Sequence, residues 1–208
     1  MPHLKDAALA GSDTFKNDDP SIASQITRIK SLPKEPDAIM LCTMMPGAVS
    51  AIKQIRAAGI KSMILNGSGV DGSYWLNAVP DLSNFYVPVQ GSVYGDDPNP
   101  KVTEFNKKYK EATGGDPSSQ YVYPGYVLID VWAKAVERAK TTDAPAVVAE
   151  LEKMNNEPTL FGPRTFTKEL HHQNQGRYLI VDTENGKPHV IDQWTISEKI
   201  PVDYLVSK

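Results

Sequence analysis

An α/β fold built on a parallel sheet is predicted by three features of the chain. Residues 38–42 (AIMLC) and 62–65 (SMIL) are continuous apolar runs that bracket a helical pattern in AVSAIKQIRAAG, where Ala48, Ile52 and Ile55 share one face and Gly59 closes the helix. Strand, helix and strand in that order make a βαβ unit with parallel strands and a right-handed crossover. Near the other end, two alternating runs flank Glu184-Asn185-Gly186-Lys187, and Asn-Gly is a hairpin signal, so an antiparallel hairpin is expected there.

The elements follow in order. Asp18-Asp19-Pro20 offers a carboxylate cap and a first-turn proline, and Ile22, Ile26 and Ile29 lie on one face, so an amphipathic helix is predicted over 20–31. Residues 38–42, unbroken by polar positions, predict a strand buried on both faces. The helix from Gly47 and the strand at 62–65 complete the crossover. Residues 85–90 read as a third strand. Val102, Phe105, Tyr109 and Ala112 mark an inward helical stripe ended by Gly114-Gly115. A longer helix is expected over 124–140, with Leu128, Val131, Trp132, Ala135 and Ala139 inward, and a short one over 145–154. The hairpin strands are 178–183 and 189–195.

The turns after the two strands of the βαβ unit, CTMMPG (42–47) and NGSGVDG (66–72), both follow the carboxyl ends of their strands. In open α/β sheets ligands bind at that edge.

The bulk composition narrows the partners. With 208 residues the chain can bury a proper core, as one large domain or two lobes. Net charge is −3 with signs mixed and no basic stripe, so nucleic acid is not an expected partner. A single cysteine excludes an internal disulfide and a multi-cysteine zinc site. No apolar run reaches the roughly 18 residues of a membrane span. The opening residues lack the build of a signal peptide, which predicts either a soluble chain that stays where it is made or a mature or truncated form of an exported protein.

Catalytic patterns fail one by one. The glycines of NGSG match neither G-x-G-x-x-G nor a P-loop, and they lead into a loop. His171 and His172 are adjacent and point apart, without a second ligand pair, and are expected in a surface loop or an ordinary polar contact. Cys42, closing an apolar run, reads as inert packing. Ser68 lacks the G-x-S-x-G elbow, and Asp96-Asp97 reads as a solvated loop. No cofactor, metal or catalytic group is expected. A binding site needs less. Thr43, Met44, Met45 and Pro46 stand at a strand end, the amides of Gly47 and Ala48 open a helix, and methionines give an adaptable apolar wall. Ser68, Gly69 and Asp71 supply hydroxyl, backbone and carboxylate groups on the neighbouring turn. Of the aromatic cluster Tyr121, Tyr123 and Tyr126, either a cleft lining or a helix start is consistent with the pattern, and Tyr123 is taken as a binding candidate.

The stretches DPSIASQITRIKSLPKEPDAIML, AIKQIRAAGIKSMILNGSGVDG, PNPKVTEFNKKYKEATGGDPSSQYVYPGYVLIDVWAKAVERAK and FGPRTFTKELHHQNQGRYLIVDTENGKPHVI occur in that order. Together they resemble the branched-chain amino acid type of ABC-transporter solute-binding proteins, with the type I periplasmic-binding fold. The resemblance implies two three-layer lobes with parallel sheets, joined by three crossovers and closing on a ligand between them. It begins partway through the second lobe, which implies that the N-terminal part is lacking and one lobe is incomplete. Residues 1–84 and 176–197 would then belong to the second lobe, 85–175 to the first, and 198–208 would be a tail.

The family's strand-end aromatic falls on Met44 or Met45, and its ammonium-binding acid falls on Ser68, three residues before Asp71. Without that acid a carboxylate, aromatic acid or amide suits the pocket better than an amino acid. The function implied is non-catalytic solute binding in an interlobe cleft for delivery to an ABC permease, in the periplasm or outside the cell for the full-length protein. The alternatives are a cytoplasmic ligand sensor on the same fold and a small α/β hydrolase using Ser68 or Cys42. Uncovered apolar faces of the incomplete lobe imply a homodimer.

Overall fold

The computed structural model describes residues 7–173 and 175–206. The chain divides into two compact units, Met1–Pro88 with Asp182–Pro188 and Val89–Val181 with His189–Lys208, and therefore passes between them three times.

In the first unit α1 (Ala23–Lys30) starts later than predicted, with Ile22 at its N-cap position and no side-chain cap. The Asp19 carboxylate instead accepts from the Lys16 amide at 2.7 Å, closing a turn ahead of the helix. Strand β1 (Ala38–Leu41), helix α2 (Gly47–Ala57), strand β2 (Met63–Asn66) and strand β3 (Phe85–Val89) follow. Both β1–β2 and β2–β3 pair in parallel, with Ile39 beside Ile64 and Ile64 beside Phe85. The βαβ unit is as the apolar runs require.

Ala48, Ile52 and Ile55 are at most 1% exposed and form the inward stripe of α2. The chain leaves that helix through Gly59, whose φ of 79° is left-handed. Arg56 ties the helix end to the sheet by donating to the carbonyls of Ile60, Ser62, Ser83 and Asn84 at 2.9–3.1 Å. Trp75 packs edge-on to Phe85 with ring centres 5.6 Å apart.

One expectation fails at β1. Only Leu41 is buried, and Met40 is 60% exposed. The five-stranded sheet runs β1-β2-β3-β6-β7, where β6 is Arg177–Glu184 and β7 is Lys187–Thr195, so β1 is an edge strand. For the same reason Cys42, expected as packing, is exposed one residue past the strand.

In the second unit, helix α3 (Pro100–Thr113) is capped by the Asn99 side chain and ends at Gly114 with φ 81°. Helix α4 (Val122–Ala139) packs on α5 (Ala144–Leu151), which Asp143 caps. Strands β4 (Glu157–Thr159) and β5 (Gly162–Arg164) form a small antiparallel pair that the alternation pattern does not announce. A short α6 (Val202–Leu205) closes the described chain.

The core gathers around Tyr123, Val102 and Leu160, and Tyr123 meets both Phe105 and Phe161 edge-on. The inward line of α4 is Tyr123, Val131 and Ala135. Leu128 (64% exposed) and Trp132 (45%) were expected inside and face outward, and Ala112 of α3 is exposed as well. Asp97 reverses another expectation. Its side chain is fully buried and accepts from the amides of Ser92 and Asn99 at 2.7 Å, because a carboxylate can organise a loop by taking its free N–H groups.

Candidate functional site

The turn after β1 is held by a residue that no motif marks. Asn17 accepts from the Thr43 hydroxyl at 2.8 Å and reaches the Met45 carbonyl through its amide at 3.4 Å. Gly47 permits this close approach, since a Cβ there would stand 2.2 Å from the Asn17 carbonyl oxygen. The Met45–Pro46 peptide is cis, and the Ala48 amide donates to the Met44 carbonyl at 3.0 Å as α2 begins. Thr43 and Met45 are half-buried, Pro46 is exposed, and Met44 is 60% exposed.

The turn after β2 contains Ser68 and Gly69 in a short 3-10 turn ending at Val70. Ser68 and Gly69 are half-buried and Asp71 is 3% exposed. The two turns adjoin: a Cβ on Gly69 would lie 3.6 Å from the Met44 Cβ. Thus Met44 and Gly69, far apart in sequence, form neighbouring parts of one strand-end surface. Burial, and then the nearby Asp71 charge, push the Tyr74 phenol above its usual pKa of 10.0. Met45 and Pro46 also border a shallow depression of about 690 Å³ with Val49, Lys53 and Tyr74.

Beneath this surface, at the last position of β2, Asn66 is 2% exposed and its side-chain oxygen and nitrogen have no hydrogen-bond partner among the described residues. Asn17, Asn66, Lys53 and Tyr74 escaped the sequence reading. Asn17 sits in an irregular segment with no pattern, and Asn66 looked like the first residue of a turn rather than the buried end of a strand.

Tyr123 lies in the core of the second unit. It is 0% exposed, and its hydroxyl lies 2.8 Å from the Ser92 carbonyl and from the Asn106 side-chain oxygen. Of the aromatic cluster, Tyr121 and Tyr126 are the exposed members. His171 contacts Glu152 at 2.9 Å and His172 the Gln173 carbonyl at 2.8 Å, both on the surface. Among the described residues no group of three or more His, Cys, Asp or Glu side chains is placed to hold a metal ion, and no helix is long and apolar enough to cross a membrane.

The sequence profile described as "Periplasmic binding protein" matches residues 4–187. No curated protein matches the chain in sequence. Among solved structures, the chain is similar to a leucine binding protein from Thermotoga maritima, with 21% identity and a TM-score of 0.71 over 86% of this chain and 50% of that one. It is similar to a branched-chain amino acid transporter substrate binding protein from Streptococcus pneumoniae in complex with isoleucine, with 19% identity and a TM-score of 0.72 over 88% and 50%. A fatty acid ABC transporter substrate-binding protein from Thermomonospora curvata matches at 20% identity and TM-score 0.69 over 88% and 49%. The chain spans about half the length of these structures.

Proposed function

The chain belongs to the periplasmic binding protein family, with the type I periplasmic-binding fold, and from that premise we propose that it binds a small organic solute without transforming it and serves delivery to an ABC transporter. Members of the family are periplasmic or extracellular substrate-binding proteins. The observation that carries the reading is the junction of the two strand-end turns, where Met44 and Gly69 adjoin. Thr43, Met44, Met45, Pro46 and Gly47 supply an apolar wall and the start of α2, while Ser68, Gly69 and Asp71 supply polar edges.

The ligand class follows from charge. Isoleucine and a fatty acid, named with two of the matched structures, share a carboxylate and differ in the amine. Here the neutral Ser68 stands at the turn, and Asp71 is buried and already engaged within the protein. An ammonium group would therefore enter without a free counter-charge. A carboxylate or amide without an amine, aromatic or aliphatic, suits the site better.

The test is a thermal-shift series with benzoate, benzamide, leucine and valine. Saturable stabilisation by benzoate or benzamide, and none by leucine or valine, is expected. Stabilisation by leucine or valine alone overturns the ligand class. Met44→Glu, at an exposed position, should weaken benzoate binding at least tenfold through like-charge repulsion; unchanged binding overturns the site.

The outward face of α4, with Leu128, Ile129 and Trp132 exposed by 45–64%, is the place where we infer that the chain associates with a second copy.

A further inference from the structure

A second cavity lies wholly within the second unit, with a volume of about 580 Å³. Its walls come from the β4–β5 pair, the segment that follows it, the start of β6, and the chain after β7. Three cations line it, Arg164, Arg177 and Lys199, and no aspartate or glutamate does among the described residues. The remaining polar lining is neutral, chiefly Asn155, Asn156 and Gln173.

Both guanidinium groups are under-used. The Arg177 Nη2 is buried and has no hydrogen-bond partner among the described residues. The nearest carboxylate oxygen, Oδ1 of Asp97, is 3.6 Å away, and the two oxygens of Asp97 already accept from the amides of Ser92 and Asn99. The other arm of Arg177 donates to Gln193 at 3.3 Å. Arg164 rests over the Phe161 ring, 5.5 Å from its centre, and among the described residues its guanidinium donates only to the adjacent Pro163 carbonyl, at 3.4 Å. Burial lowers its pKa below the usual arginine value.

Arg56 in the first unit gives the contrast, because it too is partly buried without a carboxylate bond but spends its donors on four backbone carbonyls. A partly buried guanidinium with free donors is costly unless something completes it. Guanidinium donors form a fork that fits two oxygens of a carboxylate or phosphate. The volume falls within the range of small-ligand pockets, about 300–1,000 Å³.

We propose that this cavity is a binding site for an oxyanion, a carboxylate or phosphate group gripped by Arg164 and Arg177, with Lys199 at its exposed side and Phe161 against the remainder of the molecule. It is separate in sequence from the strand-end turns and carries a charge those turns lack. Occupancy supplies acceptors to both guanidinium groups in the second unit and should stabilise that unit.

The experiment is a titration of the isotope-labelled full chain with inorganic phosphate and with phenyl phosphate, followed by amide and arginine Nε–H resonances, against sodium chloride at matched ionic strength. Saturable shifts at the Nε–H of Arg164 and Arg177 and at the amides of Gly162, Arg164, Thr165 and residues 195–199 are expected. Tighter binding of phenyl phosphate identifies an organic anion as the ligand type, and equal or tighter binding of inorganic phosphate identifies the free ion. Arg164→Gln and Lys199→Gln should each weaken binding, the first at least tenfold, while leaving the benzoate response of the strand-end turns unchanged. Arg177→Gln would also remove the neighbour of Asp97, so the partly exposed Arg164 and exposed Lys199 carry the test. Shifts reproduced by chloride, shifts scattered over surface lysines, or unaltered affinity in Arg164→Gln overturn the proposal.

Discussion

Single residues set tight limits at a few positions. Gly186 and Asn185 both have left-handed φ values, 70° and 50°, in the two-residue turn between β6 and β7, and a Cβ on Gly186 would lie 2.1 Å from the Pro80 carbonyl oxygen. Its amide also donates to the Leu82 carbonyl at 2.8 Å. Gly186→Ala therefore combines backbone strain with a backbone clash and should cost about 2 kcal/mol or more, read as a lower melting temperature. Gly91 is tight for a different reason: a Cβ would meet the Tyr123 ring at 2.9 Å. Gly91→Ala should destabilise the second unit by about 1–3 kcal/mol, and Tyr123→Phe should be milder, checked by chemical denaturation. Glu35 gives a pH test. The Lys61 amide, the Ser62 hydroxyl and the Ser62 amide hold its carboxyl below its usual 4.5. Since the folded value is the lower one, its contribution is full above about 4.5 and is lost as pH falls through the depressed value. Glu35→Gln should melt below the parent at pH 7, with the two curves converging in acid.

At the scale of elements, burial distinguishes what periodicity cannot. The apolar residues of α4 run almost around its circumference, so spacing alone admits more than one inward stripe; packing selects Tyr123, Val131 and Ala135 and leaves Leu128 and Trp132 outside. In α2 both isoleucines lie on one stripe, and Ala48, Ile52 and Ile55 fall inside as their spacing dictates. Ile52→Ala should cost about 2–5 kcal/mol. Arg56 acts at this scale too, as the strap from α2 to β2 and the approach to β3. Arg56→Met leaves four carbonyls short of a donor and should cost about 2–4 kcal/mol in equilibrium denaturation. Candidate binding residues were legible where a turn follows a strand, in CTMMPG and NGSGVDG. Asn17 was not, since a residue that braces a turn from elsewhere in the chain leaves no local signal.

For the whole molecule, an exposed apolar stripe on α4 favours association. Sedimentation should show a concentration-dependent dimer that Leu128→Glu with Trp132→Glu converts to monomer; a parent monomeric at all concentrations contradicts the inferred contact. Local pattern alone determined the βαβ unit, the Asn-Gly hairpin and the two strand-end turns, because backbone geometry and a single apolar stripe express themselves within a few residues. Only the tertiary structure decided that β1 is an edge strand, that Asp97 is buried, that Met44 adjoins Gly69, and that Arg164 and Arg177 share a cavity that no aspartate or glutamate lines among the described residues. Each of those depends on groups distant in sequence, and proximity of that kind is set by packing.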